Sequence, residues 1–265
     1  LGSFEKELGA RALTKPGGSI MEITIPANDA NFRGEAGRLR RRALSMAVDR
    51  EKIARDIFHD RVTPANSFVA PLFGSPPPAP EGADVLTYQP DRARELWEQA
   101  EKLDPFKGTF SIAFNADGGH KTWVDAVAQQ VTDTLGVLAE SKEFGTLKEL
   151  RREVTARHIT GAFRTIWQAE FPDESTFLVP LFASYSSENE SGFRSTEYDE
   201  LLKKVGQAKD REEAQEYYLQ AQELLLEKMP AIPLWTTKAF SAYGKDIIPA
   251  GYTWKPTPNY YLIHR

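Results

Sequence analysis

The segment 109–144 constrains the fold of this chain more than any other. Thr109 to Asn115 alternates Phe110, Ile112 and Phe114 against smaller or polar residues, the period-2 signature of a strand. Asn115-Ala116-Asp117-Gly118-Gly119 is turn chemistry. Over 120–135 the spacing of Trp123, Val127, Val131 and Leu135 draws one apolar stripe on a helix, and Val137 to Phe144 is extended again. A strand, a helix and a strand this close together form a βαβ unit, whose strands run parallel with a right-handed crossover.

The flanks agree with that class. Ser19 to Ile25 alternates Ile23 and Ile25 with Glu22 and Thr24 and ends at Pro26, a further strand, whereas the glycines and Pro16 of residues 1–19 indicate a loosely structured lead-in. Residues 36–58 read as one long helix or two abutting ones, Asp49 being placed to cap the second. Seven prolines between 62 and 90 predict a long loop, and Pro90 opens a helix with Ala93, Leu96, Trp97 and Ala100 on one face. Thr146-x-x-Glu149 is a capping-box pattern, Ala162 to Trp167 a third strand, and Thr196-x-x-Asp199 a second box. Asp210 precedes a long helix that Pro230 stops, after which Ile232 and Leu234 begin another extended segment. The expected class is α/β, a mixed sheet flanked by helices, with ligands outside the strand ends at 115–120 and 167–173.

Composition narrows the function. The net charge is −5, from 33 Lys and Arg against 38 Asp and Glu, which argues against a nucleic-acid partner. The chain contains no cysteine, so thiol nucleophiles, disulfides and Cys-ligated metals are excluded. No window is apolar enough to span a membrane. Phosphate-loop, nucleophile-elbow and zinc-helix motifs are missing, and His59, His120, His158 and His264 lack metal-ligand spacing. No cofactor or metal is expected. The basic run Arg38-Leu39-Arg40-Arg41-Arg42 lies on an amphipathic helix and reads as a solvated face. Trp167-Gln168-Ala169-Glu170-Phe171-Pro172-Asp173-Glu174 sets a Trp and three carboxylates where a strand runs into a Pro-broken loop. Such carboxylates serve acid–base hydrolysis, capture of a cation, or a polar strand end around a core Trp.

Leu39 to Ile53, Thr87 to Leu96, Trp167 to Asp173, Ser191 to Leu202 and Ala221 to Trp235 form a series of five segments. In that order they resemble the solute-binding proteins of peptide ABC importers, the extracytoplasmic family 5 receptors. The resemblance implies a non-enzymatic receptor, and a lobe of the type II periplasmic-binding-protein kind. It places these segments in the C-terminal half, so that the other lobe is expected to precede Leu1. On that reading 1–26 is a lead-in and hinge strand, 27–235 the C-terminal lobe, and 236–265 a tail returning toward the N-terminal lobe. The implied partners are a peptide or other small solute, the membrane permease and that N-terminal lobe. The implied location is extracytoplasmic, with a lipid anchor on the full-length protein.

Site residues follow from the resemblance position by position. The family pattern W-x-A-D-Y-P-D has an Asp that pairs with the α-amino group of a bound peptide, and Glu170 stands there, one methylene longer. Trp167 matches the Trp of the same pocket, and Arg164 and His120 match residues that meet the peptide carboxylate. The Glu170 departure leaves open a nickel chelate, haem or an oligosaccharide as solute. A hydrolase using Glu170 with Asp173 or Glu174, and a structural or chaperone-like module, stand as alternatives from other classes.

Overall fold

The computed structural model describes residues 6–72, 78–247, 254, 255 and 257. One six-stranded mixed sheet organises them: β1 (Ala12–Thr24), β2 (Val62–Pro64), β3 (Phe110–Asn115), β4 (Ala139–Phe144), β5 (Ala162–Gln168) and β6 (Ala231–Ala242), in the order β2-β6-β1-β5-β3-β4. As the βαβ reading requires, β3 and β4 are parallel, Phe110 facing Ala139 and Asn115 facing Phe144. Between them runs α4 (Lys121–Leu135). In chain order the earlier helices are α1 (Gly34–Met46), α2 (Arg50–Asp56) and α3 (Pro90–Leu103). Those that follow are α5 (Leu147–Thr155), α6 (Ser175–Phe182), α7 (Thr196–Val205) and α8 (Arg211–Lys228).

Alternation along β3 explains how the sheet is covered. Ile112 and Phe114 enter the main core, while Ala113 joins a smaller cluster with Phe163 and, from α5, Leu150 and Val154. Helices therefore pack on both faces. α1 and α2 are separate helices, and Asp49 caps the second by accepting from the Lys52 amide at 2.9 Å. The Thr146–Glu149 capping box forms as expected, and Asp210 accepts from the Glu213 amide at 2.9 Å.

Four expectations need correction. The lead-in is ordered from Ala12 onward, because β1 is 13 residues long and its first part pairs with the far end of β6. The cap of α7 is Ser195, one residue earlier than the Thr196 pattern suggested; its hydroxyl accepts from the Tyr198 amide. The proline-rich stretch holds a short strand at Val62–Pro64 and a 3-10 turn at Ala83–Leu86, while its residues 73–77 lie outside the described ones. The basic run is not a solvated face. Arg40 is fully buried, donating to Asn31 O at 2.8 Å and to Glu101 at 2.9 Å and lying over the Trp97 and Phe106 rings. Arg41 and Arg42 donate to the carbonyls of Lys228 (2.7 Å) and Leu226 (3.1 Å), which close the last turn of α8. Most of the 244–265 tail lies outside the described residues.

Gly161, just before β5, shows how tightly the sheet is drawn. Its φ is +79°, and a Cβ built there would sit 2.3 Å from the Ser111 carbonyl oxygen. Gly108 has a similar φ of +87° with open space around it. We expect Gly161→Ala to destabilise by about 3 kcal/mol and Gly108→Ala by only about 1 kcal/mol, since the first adds a backbone clash to the left-handed strain both share. Urea midpoints for the two variants check this; equal losses would mean that β3 shifts to relieve the clash.

Candidate ligand-binding site

The candidate site lies where β3 and β5 end. These strands pair through Ile112–Ala162 and Ala113–Phe163, and their described ladder stops there. From Arg164 onward the β3-facing edge of β5 has no strand partner among the described residues. On its other side β5 stays paired with β1, from Thr24–Phe163 to Ser19–Gln168. A cavity of about 190 Å³ opens beside this free edge, lined by Arg164, Thr165 and Trp167 together with Leu147, Arg151 and Glu190.

The four expected residues fall into two groups. Arg164 and His120 belong to the first, built around Asn115 at the end of β3. The Arg164 Nε donates to Asn115 Oδ1 at 2.7 Å, and the Asn115 amide group in turn donates to Asp117. Asp117 also accepts from the Leu147 amide at the start of α5 (3.2 Å), and its carboxyl is held below the usual range by the Asn115 and Leu147 donors. His120 is buried just before α4, and the Trp123 indole N–H donates to its Nδ1 at 3.2 Å. That bond puts the ring proton on Nε2. Burial and then the Arg164 charge lower the His120 pKa to about 4. At neutral pH the ring therefore offers one N–H donor and no charge, and Arg164 supplies the cation.

Trp167 and Glu170 belong to the second group, around Thr176 in α6. The Trp167 indole donates to Thr176 O at 2.7 Å, and the Glu170 amide donates to Thr176 Oγ1 at 2.9 Å. These bonds fix the half-buried Trp ring and the backbone of residue 170. The Glu170 carboxylate itself is exposed and has no hydrogen-bond or ion-pair partner among the described residues. Its neighbours in sequence behave differently. Asp173 accepts from the Ser175 amide (2.9 Å) and the Tyr218 hydroxyl; burial works against its charge, but these donors prevail and keep its pKa low. Glu174 accepts from Gln215 (2.8 Å) and Gln222 (3.0 Å) of α8, and burial pushes its pKa up. Both are structural links to α8, their oxygens taken up by its side-chain donors. Sequence reasoning missed Asn115 and Thr176, the two residues that organise the groups; neither belongs to a charged or aromatic motif.

The His120 environment has a consequence for stability. Its folded pKa of about 4 lies below the ordinary histidine value of 6.5, so the unfolded chain binds the extra proton between these values. Stability from this group is complete above about pH 6.5 and is lost as pH falls toward 4. The expected result is that urea midpoints of the wild type fall more steeply with acidification in this window than those of His120→Phe, and that the His120 ring titrates near 4 by NMR. Parallel pH profiles would contradict a buried neutral histidine.

Comparison with known proteins agrees with this geometry. Residues 25–189, more than half of the chain, match the family described as bacterial extracellular solute-binding proteins, family 5 Middle. The dipeptide-binding protein DppE of Bacillus subtilis is 26% identical over 202 residues, covering 74% of this chain and 36% of DppE. The glutathione-binding protein GsiB of Escherichia coli K12 is 26% identical over 251 residues, covering 92% of this chain and 47% of GsiB. The solved OppA of Burkholderia pseudomallei superposes with a TM-score of 0.79 at 23% identity, covering 96% of this chain and 49% of OppA, a likeness of fold. The chain thus spans about half the length of these proteins or less. Among the described residues no helix is long and apolar enough to cross a membrane. The matched span shows the family: the chain belongs to the bacterial extracellular solute-binding proteins of family 5, which are binding proteins and not enzymes.

Proposed function

We propose that this chain is the ligand-contacting C-terminal lobe of a receptor that captures peptides outside the cytoplasm and hands them to an ABC permease. One observation carries the reading. Just past the end of β5, Glu170 is exposed and its carboxylate has no partner among the described residues, and three residues before it the half-buried Trp167 lines the cavity beside the β5 edge that follows the last described β3 pair. An extended peptide meets each of these features. Its α-amino group pairs with Glu170, its first side chain packs on Trp167, and its main chain hydrogen-bonds along the free edge as an added strand. Arg164 and the Nε2–H of His120 then face the carboxyl end, the first by charge and the second by a neutral hydrogen bond. Relatives named for dipeptide and glutathione binding support a peptide as the solute class.

In this proposal residues 27–235 form the lobe, and the segment after 235 leads back toward an N-terminal lobe that completes the receptor. Strand β6 runs through that position to Ala242. Closure of two lobes around the peptide produces the form that the permease recognises, a hinge mechanism. A lipid anchor on the complete protein keeps it at the membrane.

Two measurements test the reading. In the complete receptor, Glu170→Ala is expected to weaken binding of short peptides by about tenfold or more, the worth of one charge-assisted hydrogen bond in a closed site. Affinity unchanged by the substitution would remove Glu170 from the ammonium site. Calorimetry of this lobe alone with di- to pentapeptides is expected to give no binding at micromolar concentrations, since half of the contacts belong to the other lobe; binding on the order of micromolar or tighter would sink the two-lobe account.

A further inference from the structure

A second concave site lies at the opposite end of the sheet. The candidate peptide site is at the Gln168 end of β5, whereas Ile25 and Pro230 mark the far end, joined by the hydrogen bond from Ile25 N to Pro230 O (3.0 Å). Here a cavity of about 360 Å³ opens between the start of α1 and the end of α8. Among the described residues its charged lining is Arg33, Arg41, Arg194 and Lys228, with no carboxylate. Four cations in one hollow go against the composition of a chain whose net charge is −5. We propose that this hollow is a binding site for a phosphate group carried on an apolar or glycerol-like body.

The lining is arranged for such a ligand. Arg41 is the floor: its Nε and Nη1 are fixed by the carbonyls of Lys228 and Phe32, which leaves Nη2 without a partner among the described residues. It has no carboxylate partner, so its positive charge is only partly offset, by the C-terminal carbonyls of α8. Arg33 is steered by one bond to Asn28 O (3.1 Å), and Arg194, exposed on the rim, makes no hydrogen bond or ion pair among the described residues. Lys228 shares its charge with Glu227 at 2.8 Å. The N-terminus of the 13-residue helix α1 opens at Gly34 into the same hollow and has no side-chain cap, which adds the positive end of a helix dipole. Arginine forks suit the several oxygens of a phosphate better than a single carboxylate. The remaining wall is apolar, with Phe32, Phe193, Ile25 and Pro230, and the volume exceeds that of a bare phosphate. A phosphate ester fills both parts. A soluble ester and a phospholipid headgroup share this chemistry.

The test titrates the 265-residue chain with inorganic phosphate and glycerol 3-phosphate, followed by the amide shifts of Gly34 and Phe193, and sediments it with phosphatidylcholine vesicles with and without phosphatidylglycerol. The variant is Arg33→Glu with Arg194→Glu, both exposed and outside the core. Arg33→Lys with Arg194→Lys checks that charge is what counts, and Arg92→Glu reverses a cation on the other side of α1, where Arg92 is paired with Glu95 at 2.7 Å. We expect saturable binding on the order of millimolar or tighter, weakened about tenfold or more by the double Glu variant, weakened less by the Lys variant, which keeps the charge but loses the forks, and little changed by Arg92→Glu. Binding of the soluble esters without vesicle binding assigns a soluble ligand; vesicle binding that needs phosphatidylglycerol and is lost in the double Glu variant assigns a lipid headgroup. Absence of saturable binding to all of these probes, or equal weakening by Arg92→Glu, would overturn the site.

Discussion

Every part of this fold depends on the second half of β1, Ile20 to Thr24, being buried and paired along both edges. β5 lies on one side and β6 on the other, both antiparallel to it, so β1 joins the β3–β4–β5 half of the sheet to the β2–β6 half. From Gly17 to Thr24 its residues are buried without exception. A strand covered on both faces has no place for an ionised side chain, yet Glu22 sits in the middle of it at 1% exposure. Burial raises its pKa to about 8, which keeps the carboxyl neutral at pH 7. The pairing also shapes the candidate site: because β1 holds β5 from Phe163 to Gln168, β5 stays in the sheet after its described pairing with β3 stops at Phe163.

What could be read from the sequence was local. The period-2 pattern of 109–115, the stripe on α4 and the Thr146–Glu149 box each depend on residues within one or two turns of one another, and each formed where expected. The start of β1 was missed because Pro16, Gly17 and Gly18 look like a loop. In the structure the β1–β6 register shifts between Pro16 and Ile20, and a Cβ at Gly17 would lie 2.4 Å from the Thr237 hydroxyl oxygen. The glycine signals a close approach of two strands there, a distance in space that spacing along the chain cannot report. Helix α6 was missed for another reason: it holds Pro180 in its interior and is mostly buried, so it has neither a clean cap nor an amphipathic stripe.

The basic run shows the same limit more sharply. Arg40, Arg41 and Arg42 satisfy carbonyls on elements far away in sequence, Asp104 O after α3 and the last turn of α8. Arg50 does likewise, bonding Ser45 O (3.0 Å) at the end of α1 and Pro233 O (2.8 Å) in β6. Helix ends leave carbonyls without partners, and an arginine from a neighbouring element closes them while its stem fills apolar space. Burial pushes the Arg50 pKa down to about 9, which still leaves it charged at neutral pH. Charge counted along a helix therefore says little about which charges reach solvent.

The site residues divide along the same line. Arg164 and Trp167 were identified by resemblance, but their roles depend on Asn115 and Thr176, which orient them. The neutral state of His120 arises from burial and the nearby Arg164, neither visible in sequence. Glu170 is distinguished from Asp173 and Glu174 only in three dimensions. Three carboxylates within five residues share one loop, and α8 takes two of them through Tyr218, Gln215 and Gln222. A carboxylate bound on all sides by protein donors is already neutralised and has little to offer a ligand. The one that packing leaves unpaired keeps its full attraction for an ammonium group, and for that reason the absence of a partner at Glu170 carries more functional information than its charge.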